Sequence, residues 1–301
     1  MSKVSILLAV YNCGKYIEEA IQSVIDQQYI NWELIIVNNG SNDNTLDIVN
    51  KYIELDRRIL CFSIEEKGKC KAYNKAFELS SGDYICFFAG DDILTNDSLL
   101  KRVELLVHGE GDYSTCLLQT FSEINKHNGV IFPKQISKPN YSGGSIFFTR
   151  EQAKKIFPIP ISLPNEDTWT SLHLRAFGKN IHIAEVLYRY RIHNSNSFGY
   201  DLDFTTKREK FLQRMQAFIL FKNKWNYTSN EKFDNYVNSF IEGFELCKKY
   251  KKCKILTVKG LPLKDKLILY FYSSPIIYML RHKFFKFFSG IFHFYIIYFV
   301  I

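Results

Sequence analysis

Residues 4–10 read VSILLAV and run directly into Tyr11-Asn12-Cys13-Gly14. A short, unbroken apolar run closed by a turn is the pattern of a strand buried on both faces. Past the turn, Tyr16, Ile17, Ala20, Ile21, Val24 and Ile25 recur at helical spacing. The unit then repeats. Glu33–Val37 (ELIIV) ends at Asn38-Asn39-Gly40-Ser41, and Leu46, Ile48, Val49, Tyr52 and Ile53 mark a helix behind it. Ile59–Ser63 and Lys69–Leu79 give a third strand and helix, and Tyr84–Phe88 (YICFF) a fourth strand that ends at Ala89-Gly90-Asp91-Asp92. Strands alternating with helices of about ten residues predict an α/β fold with a mostly parallel sheet flanked by helices. Ligands in such sheets bind beyond the carboxyl ends of the strands, where each of these polar turns stands.

The alternation stops near residue 108. Tyr141-Ser142-Gly143-Gly144-Ser145 precedes a further apolar run, Ile146–Phe148, and Pro158, Pro160 and Pro164 space a loop that leads to Asn165-Glu166-Asp167. Leu187–Ile192 (LYRYRI) predicts a late strand, and from Phe204 onward the pattern is helical and basic. The expected organisation is one domain over residues 1–200 and a basic, aromatic-rich helical extension over 201–301. Charge divides in the same way: residues 1–200 carry 21 Lys/Arg against 23 Asp/Glu, and residues 201–301 carry 18 against 8. A uniform nucleic-acid binder would not concentrate its basic excess in its last third, and no RNA-binding motif is visible.

The seven cysteines are odd in number and form no C-x-x-C pair, which suits reduced thiols in a cytoplasmic protein. The apolar run near the N-terminus, about seven residues without a small-residue cleavage pattern, reads as a first strand and not as a secretion signal.

Two carboxylate pairs and one histidine could carry chemistry. Asp91-Asp92 ends an apolar strand, and its hard oxygens suit Mn²⁺ or Mg²⁺ holding a diphosphate; it could equally be an acidic cap for a helix over Leu94–Val107. Glu166-Asp167 could remove a proton from an attacking hydroxyl, or cap the amphipathic run that follows. His193, in RIHNSNS, is either a ligand or an ordinary surface or core histidine.

Together these segments resemble the family 2 glycosyltransferases of the GT-A type, over roughly residues 3–199. VSILLAVYNCGKYIEEAIQSVIDQQYINWELIIVNNGSNDNT is similar to that family's first nucleotide-binding half, and KGKCKAYNKAFELSSGDYICFFAGDD to the segment leading to its metal-binding motif. NEDTWTSLHLRAFGKNI and LYRYRIHNSNS resemble its acceptor-side and late segments. The resemblance implies an inverting single displacement from a nucleoside diphosphate sugar. It puts Asp91 at a divalent metal, Mn²⁺ or Mg²⁺, with Asp92 beside it and His193 approaching. Asp167 would be the general base, with Glu166 next to it. Val10, Tyr11, Asn12, Asn39, Gly68, Lys71, Asn74, Gly90 and Asp91 would line the donor, with Lys69 and Lys71 near phosphate. The chain departs from the family pattern at Asn38-Asn39, where an Asp pair is usual, and at Ala89, where the first motif Asp is missing. The alternative from another class is a catalytically silent sugar-nucleotide or glycan-binding member of a synthesis complex.

The tail combines KKYKKCK (residues 248–254) with FFSGIFHFYIIYFVI between Lys286 and Ile301, fifteen residues that fall short of the roughly 20 a spanning helix needs. The expectation is an interfacial segment on the inner face of the cell membrane, and from it a lipid-linked glycan acceptor; the other reading is a helical tail packed on the domain or on a twin subunit.

Overall fold

The computed structural model describes residues 2–122, 128–193 and 203–280. The apolar segment between Lys286 and Ile301 therefore lies outside the described residues. The chain divides into two compact units, Met1–His193 and Asn194–Ile301.

The first unit runs β1 (Val4–Val10), α1 (Ile17–Ile25), β2 (Trp32–Asn38), α2 (Thr45–Leu55), β3 (Ile59–Ser63), α3 (Lys69–Leu79), β4 (Tyr84–Ala89), β5 (Ile93–Leu94), α4 (Ser98–Val107), β6 (Tyr113–Ser122), β7 (Ile131–Phe132), β8 (Ile146–Thr149), α5 (Arg150–Ile156), α6 (Asp167–Phe177) and β9 (Asn180–Ile192). One sheet holds the strands in the order β3-β2-β1-β4-β8-β6-β9-β5, with β7 paired to β6. β1 to β4 are mutually parallel, as the alternation predicts; β8 then runs antiparallel to both β4 and β6. The chain adopts the expected α/β fold with a mostly parallel sheet flanked by helices. Val4, Ile6, Leu7, Leu8 and Val10 have no exposed surface, so the opening run is a central strand. Each such side chain contributes about 1.5–3 kcal/mol by its burial.

Three elements differ from expectation. The helix expected over Leu94–Val107 begins only at Ser98, because Ile93 and Leu94 pair antiparallel with Arg189 and Tyr188 as β5. Asp91-Asp92 therefore precedes a strand, and the helix-capping reading of that pair falls away. The late strand is thirteen residues long, not six. Finally β6, YSTCLLQTFS, carries no clear period-two alternation and lies buried between β8 and β9, its Ser114 and Thr115 inside the core. The β6–β9 ladder slips between Cys116 and Leu118, where β9 carries the extra residues. A bulge of this kind bends a strand and re-aims its end; beyond it Tyr188–Ile192 run in register beside Leu118–Ser122 toward the Asp91 turn.

The second unit comprises α7 (Phe204–Lys224), α8 (Glu231–Lys248), α9 (Lys252–Thr257) and α10 (Leu263–Tyr272). Phe218 stacks on Phe240 at 3.7 Å and Phe211 on Tyr272 at 4.0 Å. Arg208 ties the helix ends together through the carbonyls of Tyr272 and Cys247, at 2.9 and 3.2 Å. No described helix is long and apolar enough to cross a membrane.

Candidate active site

The parallel register sets Val10 beside Asn38 and Ala9 beside Ala89, so the turns after β1, β2 and β4 meet along one sheet edge. Val10 is fully buried and offers its main chain: its carbonyl accepts from the Asn39 N–H at 2.8 Å. Asn39 Oδ1 in turn accepts from the Gly68 N–H at 2.6 Å, which joins the β2 turn to the start of α3. Asn38 Oδ1 accepts from the Ser41 N–H at 3.0 Å. Asn12 adopts φ +50°, a left-handed conformation that Asn tolerates, and its Oδ1 accepts from Asn42 N–H at 2.9 Å. Tyr11 is exposed, with the Lys67 ammonium 4.7 Å from its ring centre. Together these residues form a cradle of loop backbone with one open aromatic ring.

Gly90 packs against α1: an added Cβ would meet Cys13 Sγ at 3.1 Å and Ile17 Cδ1 at 3.2 Å. Cys13 lies beside Asp91, and burial, with that carboxylate, pushes its thiol up to about 12, so it stays neutral. Asp91 Oδ2 lies 3.0 Å from His193 Nε2, which brings together residues a hundred positions apart. Tyr16 closes the other side of the imidazole, ring centres 4.8 Å apart. Asp92, expected beside the metal, faces away from that pair. It is 2% exposed, and its two oxygens accept from Tyr188 Oη at 2.6 Å and from the Arg191 N–H at 2.8 Å. Burial, reinforced by Asp91, pushes its pKa well above the ordinary carboxylate value. This geometry does not suit Asp92 to ligation and suits it to bracing the turn.

Two of the lysine and amide expectations also meet other partners. Lys71 pairs with Glu66. Asn74 uses both ends of its amide on Ile159, donating to its carbonyl at 2.8 Å and accepting from its N–H at 2.7 Å. Asn74 therefore fixes the proline-spaced loop that leads to Glu166, and its donor-lining reading does not fit.

Glu166 is 2% exposed and forms an ion pair with Lys69 at 3.1 Å. Burial raises its pKa more than Lys69 lowers it, so the carboxyl lies above its ordinary value. Asp167 is half-buried at the first position of α6, the site a carboxylate favours near a helix dipole. Its Oδ1 accepts from the Gly143 N–H at 2.8 Å and its Oδ2 from Asn165 Nδ2 at 3.1 Å. Burial pushes the Tyr73 hydroxyl well above its ordinary value, and Glu166, Asp167 and Asp91 reinforce the shift while Lys69 opposes it.

Lys69 as the Glu166 partner, Gly143 as a donor to Asp167, and Tyr16, Tyr188 and Arg191 around the Asp91 turn escaped sequence reasoning. The Gly143-Gly144 pair was the one local signal, since adjacent glycines mark a close approach of backbone to a neighbour. Among the described residues no three His, Cys, Asp or Glu side chains form a metal cluster. A cation held by a carboxylate and an imidazole would need substrate and water oxygens to complete its shell, as Mg²⁺ sites on phosphates commonly do. Asp91 and His193 fit that demand.

Residues 5–157 match the profile of Glycosyl transferase family 2. The chain is 30% identical over 207 residues to the Bacillus subtilis protein named "Putative teichuronic acid biosynthesis glycosyltransferase TuaG", covering 64% of this chain and 80% of that protein. It is 36% identical over 107 residues to the Escherichia coli UDP-Glc:alpha-D-GlcNAc-diphosphoundecaprenol beta-1,3-glucosyltransferase WfaP, where the match spans 35% of this chain and 42% of the relative. Among solved structures, residues 1–349 of Staphylococcus aureus TarS in complex with UDP-GlcNAc superpose with a TM-score of 0.64 at 16% identity, over 91% of this chain and 79% of that one. The likeness to TarS shows the shared fold. With the family profile matched over half of the chain, from β1 to the end of α5, the protein belongs to glycosyl transferase family 2.

Proposed function

We propose that the chain transfers a hexose or N-acetylhexosamine, with inversion, from a nucleoside diphosphate sugar, UDP-linked, to a lipid-linked saccharide in bacterial surface glycan assembly. The observation that carries this reading is the pairing of Asp91 with His193 and of Asp167 with the Gly143 N–H. One pair suits a leaving diphosphate, the other an attacking hydroxyl. The turns after β1 and β2, with Tyr11, Asn12, Asn39 and Gly68, would cradle the nucleoside.

In this mechanism Asp167 takes the proton of the acceptor hydroxyl as its oxygen bonds to the anomeric carbon. The bond from that carbon to the diphosphate oxygen breaks, and its electron pair leaves with the nucleoside diphosphate. Asp167 is fixed for this by Gly143 and Asn165, which bond its two oxygens without neutralising it. Asp91 and His193 would hold Mn²⁺ or Mg²⁺, which supplies charge neutralisation at the leaving diphosphate. WfaP, by its name, acts on a diphosphoundecaprenol-linked GlcNAc, which supports the acceptor class.

Peripheral attachment to the inner membrane face belongs to the same reading. Residues 248–266 hold eight lysines and one aspartate, and Leu263, Ile276, Met279 and Leu280 are each more than half exposed. Anionic lipid attracts such a segment while its apolar side chains enter the interface. Retention of the full chain in the supernatant with anionic liposomes at physiological salt would remove this part.

The central test is transfer from UDP-glucose and UDP-GlcNAc to an undecaprenyl-diphosphate saccharide with Mn²⁺ present. Asp167→Asn should lower kcat by about 10²–10⁴-fold with KM for donor little changed, as loss of a general base does. An Asp167→Asn enzyme as active as wild type would refute the base role. Metal-dependent nucleotide binding without turnover on any acceptor would favour the silent-binder reading.

A further inference from the structure

The end of β9 does more than deliver His193. Arg191 is 6% exposed, and three of its N–H groups are committed to different parts of the site. Its main-chain N–H donates to Asp92 Oδ1 at 2.8 Å, its Nε to the carbonyl of Asp91 at 2.8 Å, and its Nη2 to Glu19 Oε2 on α1 at 2.7 Å. The guanidinium plane lies 4.3 Å from the ring centre of Phe121 and 4.7 Å from that of Tyr16. Tyr16 also contacts the His193 imidazole, so one ring orients both side chains.

We infer that Arg191 is a positioning residue that presets Asp91 and His193 at the separation a divalent cation requires; this rests on the metal reading proposed above. The bond from Nε to the Asp91 carbonyl fixes the peptide plane from which the Asp91 carboxylate projects. The bond to Asp92 ties the same turn to the strand that carries His193 two residues later. Tyr188 reinforces it from the other oxygen of Asp92. A planar fork held between two aromatic faces serves two acceptors in fixed directions, and a lysine ammonium cannot. Glu19 has a second effect. An uncompensated guanidinium this close to Asp91 would repel a divalent cation, and the ion pair with Glu19 offsets that charge while leaving the donors in place.

The test measures Mn²⁺ binding to the full chain by electron paramagnetic resonance, with UDP present, alongside thermal unfolding. Wild type should bind Mn²⁺. Arg191→Lys should weaken binding by about 10–100-fold, the usual loss when a partner behind a ligand is altered. Glu19→Gln changes an exposed side chain and so tests the clamp without threatening the fold; it should weaken Mn²⁺ several-fold with Tm unchanged. Both variants binding Mn²⁺ as wild type does, with only Tm lowered, would make Arg191 merely structural and overturn the inference. Wild type failing to bind Mn²⁺ with UDP would overturn the metal reading itself, and the inference with it.

Discussion

The backbone N–H of Gly143 donates to Asp167 Oδ1 at 2.8 Å, and a Cβ on Gly143 would lie 2.7 Å from Glu166 Oε1 and 2.8 Å from Asp167 Oδ1. Only a residue without a side chain can approach both carboxylates this closely. Gly143→Ala must therefore push them apart or lose the bond to Asp167. A displacement near 1 Å commonly costs about 10²-fold in rate. The expected outcome is a kcat lower by that order with the fold intact by circular dichroism, checked by steady-state transfer assays.

Lys69 and Glu166 join α3 to the start of α6 across 97 residues of sequence. Removing Lys69 leaves a buried carboxylate without its cation, and Glu166 should then take up a proton. Lys69→Met should destabilise the fold by about 1–3 kcal/mol, less than the loss for a fully buried pair because the lysine is partly exposed. Adding Glu166→Gln should recover much of this, since the uncompensated charge is gone. Urea unfolding of both singles and the double closes the cycle.

Glu33, at the start of β2 and away from the site, sets an acid limit. Burial alone would raise its pKa, but Lys3 at 2.5 Å, Ser5 at 2.6 Å and the Ser81 N–H at 2.6 Å outweigh it and hold the carboxyl below its ordinary value. A depressed folded pKa means the unfolded chain binds more protons, so stability rises with pH in that range. The contribution of Glu33 is full above about pH 5 and disappears as pH falls through the folded pKa, below the ordinary value of about 4.3. Glu33→Gln should be less stable than wild type at pH 7 and show a flatter decline between pH 5 and 3, measured by denaturant titration.

Asn39 stands where the family pattern has a carboxylate. Its Oδ1 is held by the Gly68 N–H at 2.6 Å, a bond an aspartate would keep while gaining a second acceptor oxygen. On the proposed UDP-sugar reading, Asn39→Asp should tighten UDP binding by about tenfold, near the contribution of one hydrogen bond to a charged group. Isothermal titration with UDP reads this directly, and unchanged or weaker binding would place the base elsewhere.

Much of the first half was legible in one dimension. Strands β1 to β4 are nearly continuous apolar runs, β1, β2 and β4 closed by turns with Asn, Gly or Asp, and β3 and α3 fall on the residues the pattern predicts. The second half was less so, for a physical reason. In β6 and β9 the buried polar residues Thr115 and Arg191 are satisfied by neighbours distant in sequence, His182 and Glu19, which erases the hydrophobic signal that periodicity reads. The positions of Asp91, Glu166, Asp167 and His193 as candidates came from their residue types and from the motif blocks around them.

What the sequence determined by itself was the βαβ alternation, the convergence of the polar turns on one sheet edge, and the candidates for proton and cation chemistry. Local periodicity encodes these, because burial on two faces demands apolar runs and turns demand Gly, Asn and Asp. Which carboxylate of each pair stays accessible was decided only by the tertiary structure. Asp91 meets His193 while Asp92 is sealed against Tyr188 and Arg191; Asp167 meets the Gly143 N–H while Glu166 is sealed against Lys69. Adjacent carboxylates are equivalent along the chain. They become different because partners 96 to 99 residues away close over one of each pair and leave the other accessible.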